Sequence, residues 1–183
     1  LYNDNIDDSI EKWHDILMGF DDINKEEQIL SLDDPNNWKT FFEARHSIPA
    51  NALHKSKEYN TASIITDTIV PPHSFNDFIK KTHSLIKSKK IDYLLFGHLA
   101  DCHLHFHLIP NSENESEAIK CYRDIIQISS NHGGIYSAEH GTGKRKKKDF
   151  IECYGMDGVK EVIKCKMGFD PHFLFNNGNV VDK

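Results

Sequence analysis

The feature that most constrains the fold of this chain is the stretch CHLHFHLIP, residues 102–110, in which three histidines stand at every second position. His103, His105 and His107 alternate with apolar residues, and a period of two is typical of a β-strand, whose successive side chains point to opposite faces. The stretch therefore predicts a strand with an imidazole face and an apolar face. Pro110, which cannot donate a backbone hydrogen bond, is expected to end it.

The segments around this strand predict an α+β domain. Runs rich in β-branched or aromatic residues alternate with amphipathic helical patterns, and between about residues 62 and 140 the order is β-α-β-β-α-β. This order is ferredoxin-like, an antiparallel sheet with helices packed on one face. The strand DYLLFGH is expected to break at Gly97, and MDGVKEVIKCKMG, residues 156–168, predicts a C-terminal helical extension. Because no internal repeat or linker interrupts the chain, residues 1–183 are interpreted as one domain.

Composition argues against several classes of function. The net charge of −6 argues against a broad nucleic-acid surface, and no apolar run reaches the roughly 18 residues that a membrane-spanning helix needs. The four cysteines form no CxxC pair and are expected to be reduced thiols of an intracellular protein. We therefore expect a location in the cytoplasm or at the periphery of a membrane, with no transmembrane segment and no nucleic-acid partner.

One interpretation of the histidine strand rests on seven residues. HLHFHLI, residues 103–109, fits the His-φ-His-φ-His-φ-φ pattern of the histidine triad family of nucleotide hydrolases and transferases, where φ is apolar. The resemblance implies that His105 attacks an α-phosphate while His103 and His107 orient it and protonate the leaving group. The pattern is short, and any histidine-bearing strand with an apolar back face has a fair chance of matching it.

A wider window resembles a different family. FGHLADCHLHFHLIP, residues 96–110, resembles the GHxGDxNLHxN segment of the FAD-linked oxidases of the D-lactate, glycolate and D-2-hydroxyglutarate dehydrogenase type. Four more elements of that family occur in the family's order, namely FFEARHSIPANAL, TDTIVPPHSFNDF, GGIYSAEHGTGKRK and MGFDPHFLFNNGNVV. Together they cover roughly residues 38 to 181, so this resemblance is far more specific than the alternating histidines.

The resemblance implies that residues 1–183 form the C-terminal cap, or substrate, domain of an FAD-dependent D-2-hydroxy-acid dehydrogenase. Such an enzyme oxidises a small 2-hydroxy acid to the 2-oxo acid and passes electrons to a cytochrome, a quinone or an electron-transfer flavoprotein. FAD is implied to be held mainly by a separate N-terminal domain, and the chain contains no GxGxxG-type strand-turn-helix. The chain alone is therefore expected to be inactive.

The same resemblance implies the residues of the site. His98, His105 and Glu139 are implied to bind a divalent metal, zinc or manganese, that acidifies the substrate hydroxyl. His140 is implied to be the general base, because imidazole accepts a proton near neutral pH. On a regular strand Glu139 and His140 would face opposite sides. The glycines that follow predict an irregular turn that lets both side chains reach one pocket.

Two more positions match family residues, and several depart from the family pattern. Arg45 matches an arginine that grips the substrate carboxylate, which suits a guanidinium fork, and Asn176 matches an asparagine that packs near the flavin ring. Ile65 stands where some members have a lysine, and Cys102 and His103 replace a glycine and an asparagine. These departures leave open a third interpretation, a metal-binding module without catalytic activity.

Overall fold

The chain divides into two units, which are described separately. The computed structural model describes residues 6–20, 32 and 34–182. The first unit is Leu1–His46 and the second is Ser47–Lys183. Helix α1 spans Ile6–Met18 in the first unit, and helix α2, Pro35–Glu58, begins in the first unit and ends in the second.

The second unit contains a four-stranded antiparallel sheet. Its elements in chain order are β1 (Ile64–Ile65), β2 (Thr68–Ile69), α3 (Phe75–Ser88), β3 (Asp92–His98), β4 (His103–Ile109), α4 (Glu115–Asn131) and α5 (Lys147–Phe169). Strands β1 and β2 pair with one edge of β4, and β3 pairs with its other edge. The last predicted strand, GIYSAEHG, contributes only two isolated bridges, Ile69–Ile135 and Asp67–Ser137. The predicted α+β fold with a C-terminal helix is confirmed.

Strand β4 separates the apolar core from a polar face. Phe106 and Leu108 are fully buried, and they belong to one core cluster with Phe78 and Ile86 of α3 and Ile125 of α4. Burial of side chains of this size contributes about 1.5–3 kcal/mol each. Because side chains alternate along a strand, the histidines of β4 face away from this core, as the sequence predicts.

Strand β3 does not break at Gly97, so that prediction is wrong. The strand continues to His98, and Gly97 pairs with Leu104 of β4. Gly97 has a φ of 146°, and a Cβ at this position would lie 2.5 Å from the carbonyl oxygen of His103 and 2.9 Å from Cα of Leu104. The glycine is therefore required because the two backbones approach too closely for a side chain.

Gly97→Ala is expected to lower the free energy of unfolding by about 1–3 kcal/mol, because the added methyl group must push the two strands apart. Urea unfolding measured by circular dichroism tests this. Gly168→Ala in α5 is the matched control, since no atom lies within 4 Å of a Cβ there and alanine stabilises a helix by up to about 1 kcal/mol relative to glycine. A G97A chain as stable as the wild type would contradict the close approach.

The tail that follows helix α5 returns to the loop that precedes the helix and is hydrogen bonded to it. Gly155, with φ 65° and ψ −176°, divides α5 into two helical segments. At its end, Asp170 accepts hydrogen bonds from two backbone N–H groups of the tail and from Lys166, whose hydrogen bond lowers the pKa of Asp170 to about 2. The tail then returns, and the N–H of Val180 donates to the carbonyl of Gly143 at 2.9 Å.

Two general features bear on the sequence-based expectations. Among the described residues, every helix is too short or too polar to span a bilayer. All four cysteines lie within the described part of the chain and are free thiols. Burial raises the pKa of Cys121 to about 11, so this thiol stays protonated near neutral pH.

Candidate functional site

A buried carboxylate, Asp67, organises the polar face of β4. It lies between β1 and β2 and has no exposed surface. Its Oδ2 accepts hydrogen bonds from the Ser137 hydroxyl at 2.6 Å, the His140 backbone N–H at 2.8 Å and the Lys146 ammonium at 3.2 Å, and its Oδ1 lies 3.0 Å from Nε2 of His103. Burial opposes ionisation, but these donors hold the pKa of Asp67 well below its usual range. The ionised carboxylate therefore holds the segment that carries Ser137, His140 and Lys146, called the site loop below, against the sheet.

His105 is held as one tautomer by a backbone carbonyl. The residue is 2% exposed, and its Nδ1 lies 3.1 Å from the carbonyl oxygen of Thr66. Because a carbonyl oxygen can only accept, Nδ1 carries the proton and Nε2 keeps its lone pair. Burial lowers the pKa of His105, which favours this neutral form. His105 therefore offers an unprotonated Nε2 on the side of β4 opposite the core.

Glu139 brings a carboxylate to that nitrogen. Its Oε1 lies 3.0 Å from Nε2 of His105 and 3.4 Å from Nε2 of His140, and its Oε2 lies 3.5 Å from Nε2 of His98. The His140 ring stacks on the His105 ring, with centroids 4.8 Å apart and an interplanar angle of 6°. The backbone bends at residues 138–140, so the adjacent Glu139 and His140 reach one place, as the sequence predicts.

The donor atoms of this cluster suit a divalent cation. In the tautomer that the Thr66 carbonyl selects, Nε2 of His105 and Oε1 of Glu139 are both acceptors, so their approach to 3.0 Å is unfavourable unless a proton or a metal cation lies between them. Two overlapping groups of side chains could each hold one ion, because within each group the ligand atoms all lie within 4.8 Å of one another. The first group is His98, His103, His105 and Glu139, and the second is Asp67, His105, Glu139 and His140. Imidazole nitrogens and carboxylate oxygens bind zinc at about 2 Å, so the ligand atoms of a tetrahedral zinc site would lie about 3.3 Å from one another. Small side-chain movements would therefore bring these atoms around one ion.

A cleft of about 590 Å³ opens beside the cluster. Three cluster residues, His98, His103 and Glu139, form part of its wall. The other lining residues are Ile69, Pro72, Ala100, Asp101 and Ala138. A cleft of this volume is within the range of ligand pockets, so a small molecule can approach His98, His103 and Glu139 from this side.

Three other predicted residues belong to neither group of possible metal ligands. Arg45 is exposed on α2 in the first unit, and Asn176 is exposed in the tail. Their roles stay predictions. His107 shares the strand face of His103 and His105, but its Nε2 lies 2.7 Å from the Ser63 hydroxyl, and it belongs to neither group of possible metal ligands. The three alternating imidazoles therefore meet three different sets of partners.

The sequence analysis assigned no role to Asp67, Ser137 or Lys146, which hold the site loop in position. Asp67 carried a usable signal, because an acidic residue within the β-branched run ASIITDTIV is expected to be buried and to need partners. Lys146 lies inside KRKKK, where a charged run gives no indication that one lysine is 16% exposed and paired with Asp67. Ser137 carried no signal.

Comparison with known proteins identifies one family over nearly the whole chain. The profile of a family described as FAD linked oxidases, C-terminal domain, matches residues 7–180. This range includes both units of the structure and every residue of the cluster. It extends far beyond the seven residues that carry the histidine triad pattern.

Individual relatives belong to the same group of enzymes. The chain is 31% identical to a D-lactate dehydrogenase of Anaerostipes hadrus over 64% of its length, and 29% identical to a D-2-hydroxyglutarate dehydrogenase of Escherichia coli over 62%. It is also 29% identical to a mitochondrial D-lactate dehydrogenase [cytochrome] of Kluyveromyces lactis over 61%. The matched segments cover 26%, 11% and 19% of these relatives, respectively, so the chain spans only a part of their length.

Proposed function

Because the chain belongs to the family of FAD-linked oxidase C-terminal domains, we propose that it forms the cap, or substrate, domain of an FAD-dependent D-2-hydroxy-acid dehydrogenase. In this reaction the 2-hydroxyl of a small acid becomes a 2-oxo group. The hydroxyl proton goes to a base, and the hydride from C2 goes to the flavin. The names of the relatives, which act on D-lactate and D-2-hydroxyglutarate, support this class of substrate.

The observation that carries the proposal is the approach of two acceptors, His105 Nε2 and Glu139 Oε1, to 3.0 Å beside His98. We propose that these three residues hold a divalent cation, zinc or manganese. When bound, such an ion supplies Lewis acidity that lowers the pKa of a substrate hydroxyl. The Thr66 carbonyl fixes the tautomer of His105, a role that orienting partners commonly play for metal-binding histidines.

His140 is proposed to accept the hydroxyl proton at Nε2. The hydrogen bond from its backbone N–H to Asp67 fixes its main chain, and the stacking on His105 orients its ring. Its side chain is 38% exposed, so the ring can exchange the accepted proton with solvent. An imidazole beside the Glu139 carboxylate and partly open to solvent is suited to general base catalysis.

The remaining parts of the reaction depend on groups outside this cluster. FAD, held mainly by a separate domain, supplies the hydride acceptor. Arg45 is proposed to bind the substrate carboxylate, and Asn176 to lie beside the flavin ring. The tail that carries Asn176 is hydrogen bonded to the site loop through Val180 and Gly143. A cytochrome is the electron acceptor that the relative from Kluyveromyces lactis suggests.

Anaerobic flavin reduction tests this proposal. The flavoprotein formed by this chain and its flavin domain is mixed with D-lactate, glycolate or D-2-hydroxyglutarate, and the visible absorption of the flavin is followed. Bleaching by at least one D-2-hydroxy acid is expected, with no bleaching by the L-enantiomer of the chiral acids. If the flavin keeps the absorption of its oxidised form with all three acids, the result would favour the non-catalytic metal-binding module instead.

A further inference from the structure

We propose that His103 is a fourth ligand of the metal site, so that the ion is held by three imidazoles and one carboxylate. The inference rests on the proposed function for the presence of the ion and goes beyond it in the ligand set. It makes His103 part of the metal site, whereas the family resemblance implies only His98, His105 and Glu139 as ligands. The argument depends on the position of His103, its tautomer and its burial.

The position of His103 favours ligation. A ring nitrogen of His103 is one of four ligand atoms that all lie within 4.8 Å of one another, the others belonging to His98, His105 and Glu139. Its ring centroid lies 4.5 Å from that of His105 and 5.4 Å from that of His98. His98 and His103 are paired residues on the adjacent strands β3 and β4. The sheet itself therefore keeps these imidazoles side by side.

The tautomer of His103 leaves one nitrogen available. Nε2 lies 3.0 Å from Oδ1 of Asp67, and the other oxygen of that carboxylate accepts a hydrogen bond from the Lys146 ammonium at 3.2 Å. An ionised carboxylate only accepts, so Nε2 carries the proton and Nδ1 keeps its lone pair. A carboxylate bonded to the second nitrogen is the usual orienting partner of a metal-bound histidine. Asp67 would thus fix His103 for ligation through Nδ1.

Burial gives the fourth ligand a chemical consequence. His103 is 5% exposed and still forms part of the cleft wall, so its lone pair has little access to bulk water. Four protein ligands complete a tetrahedron around zinc, whereas catalytic zinc sites normally keep one position open. With His103 as the fourth ligand, a zinc ion held here would keep no open position for a substrate hydroxyl. The extra imidazole should therefore tighten metal binding and restrict substrate access.

X-ray absorption spectroscopy of the full chain loaded with zinc counts the imidazoles directly. Three imidazoles and a carboxylate are expected for the wild type, and two imidazoles for His103→Asn, whose amide can still donate to Asp67. The zinc dissociation constant of H103N is expected to rise at least about tenfold. His107→Asn is the matched control, because it is the same substitution on the same strand face and removes contacts with Ser63 and Phe96, neither of which is a possible metal ligand.

The outcomes separate this inference from the proposed function. Two imidazoles in the wild type, or an H103N chain with unchanged spectrum and affinity, would overturn the fourth ligand and leave the three-residue site standing. A wild-type chain that binds no zinc would overturn both. The imidazole count of the wild type does not depend on the folding of any variant, so the inference can be rejected even if H103N is unstable.

Discussion

Replacing His140 with glutamine is expected to slow flavin reduction by about 100- to 10,000-fold, the range that general base catalysis contributes. Glutamine has a comparable size and can accept hydrogen bonds, but it cannot take up a proton at neutral pH. The His140 backbone N–H that bonds Asp67 is unaffected by the substitution, so the site loop should keep its position. Stopped-flow measurement of flavin bleaching with saturating substrate gives the rate.

The metal content of the same variant sharpens the test. Glu139, His98 and His105 all remain, so we expect H140Q to bind as much zinc or manganese as the wild type. His54→Gln, which changes an exposed histidine on α2, is the control and should reduce flavin at the wild-type rate. Loss of metal in H140Q would instead assign His140 to the other possible ligand group, with Asp67, His105 and Glu139, and would contradict its role as the base.

Asp67→Asn is expected to lower the free energy of unfolding by about 3–5 kcal/mol, the usual cost of removing one partner of a buried ion pair. The loss leaves the Lys146 ammonium, 16% exposed, without its carboxylate. The NH2 group of the new asparagine would also face hydrogen-bond donors, because both carboxylate oxygens of Asp67 accept hydrogen bonds in the wild type. Urea unfolding at neutral pH measures the effect.

Asp92→Asn is the matched control for this substitution. Asp92 also pairs with a lysine, Lys55, at 2.7 Å, but its side chain is 52% exposed, and exposed ion pairs contribute about 0–1 kcal/mol. Adding Lys146→Met to D67N removes the unpaired ammonium and should recover part of the lost stability. A D67N chain as stable as D92N would mean that Asp67 does not hold the loop as described.

Much of the fold was predictable because it follows from local patterns. The period of two in HLHFHLI defines a strand with its apolar side on a core, and β4 has Phe106 and Leu108 in that core. The break predicted at Gly97 was wrong because glycine is compatible with two situations, a turn and a close approach of two backbones. Only the position of β4 relative to β3 distinguishes them.

The proximity of the candidate site residues was predictable to the extent that they lie in short matched motifs. The resemblance identified His98, His105, Glu139 and His140, and the structure brings these four together. The residues that support them were not predictable, because Asp67 is 73 positions away from the His140 N–H that it accepts and 79 from Lys146. No local pattern encodes contacts between segments so distant in sequence.

The central claim, that His98, His105 and Glu139 share a divalent cation, is tested most directly by metal analysis. The purified chain is incubated with zinc or manganese, dialysed, and analysed beside Glu139→Gln and the control Glu152→Gln, which changes an exposed residue of α5. We expect a single tightly held ion per chain in the wild type and in E152Q, and almost none in E139Q. A wild-type chain without stoichiometric metal, or an E139Q chain that retains it, would contradict the claim.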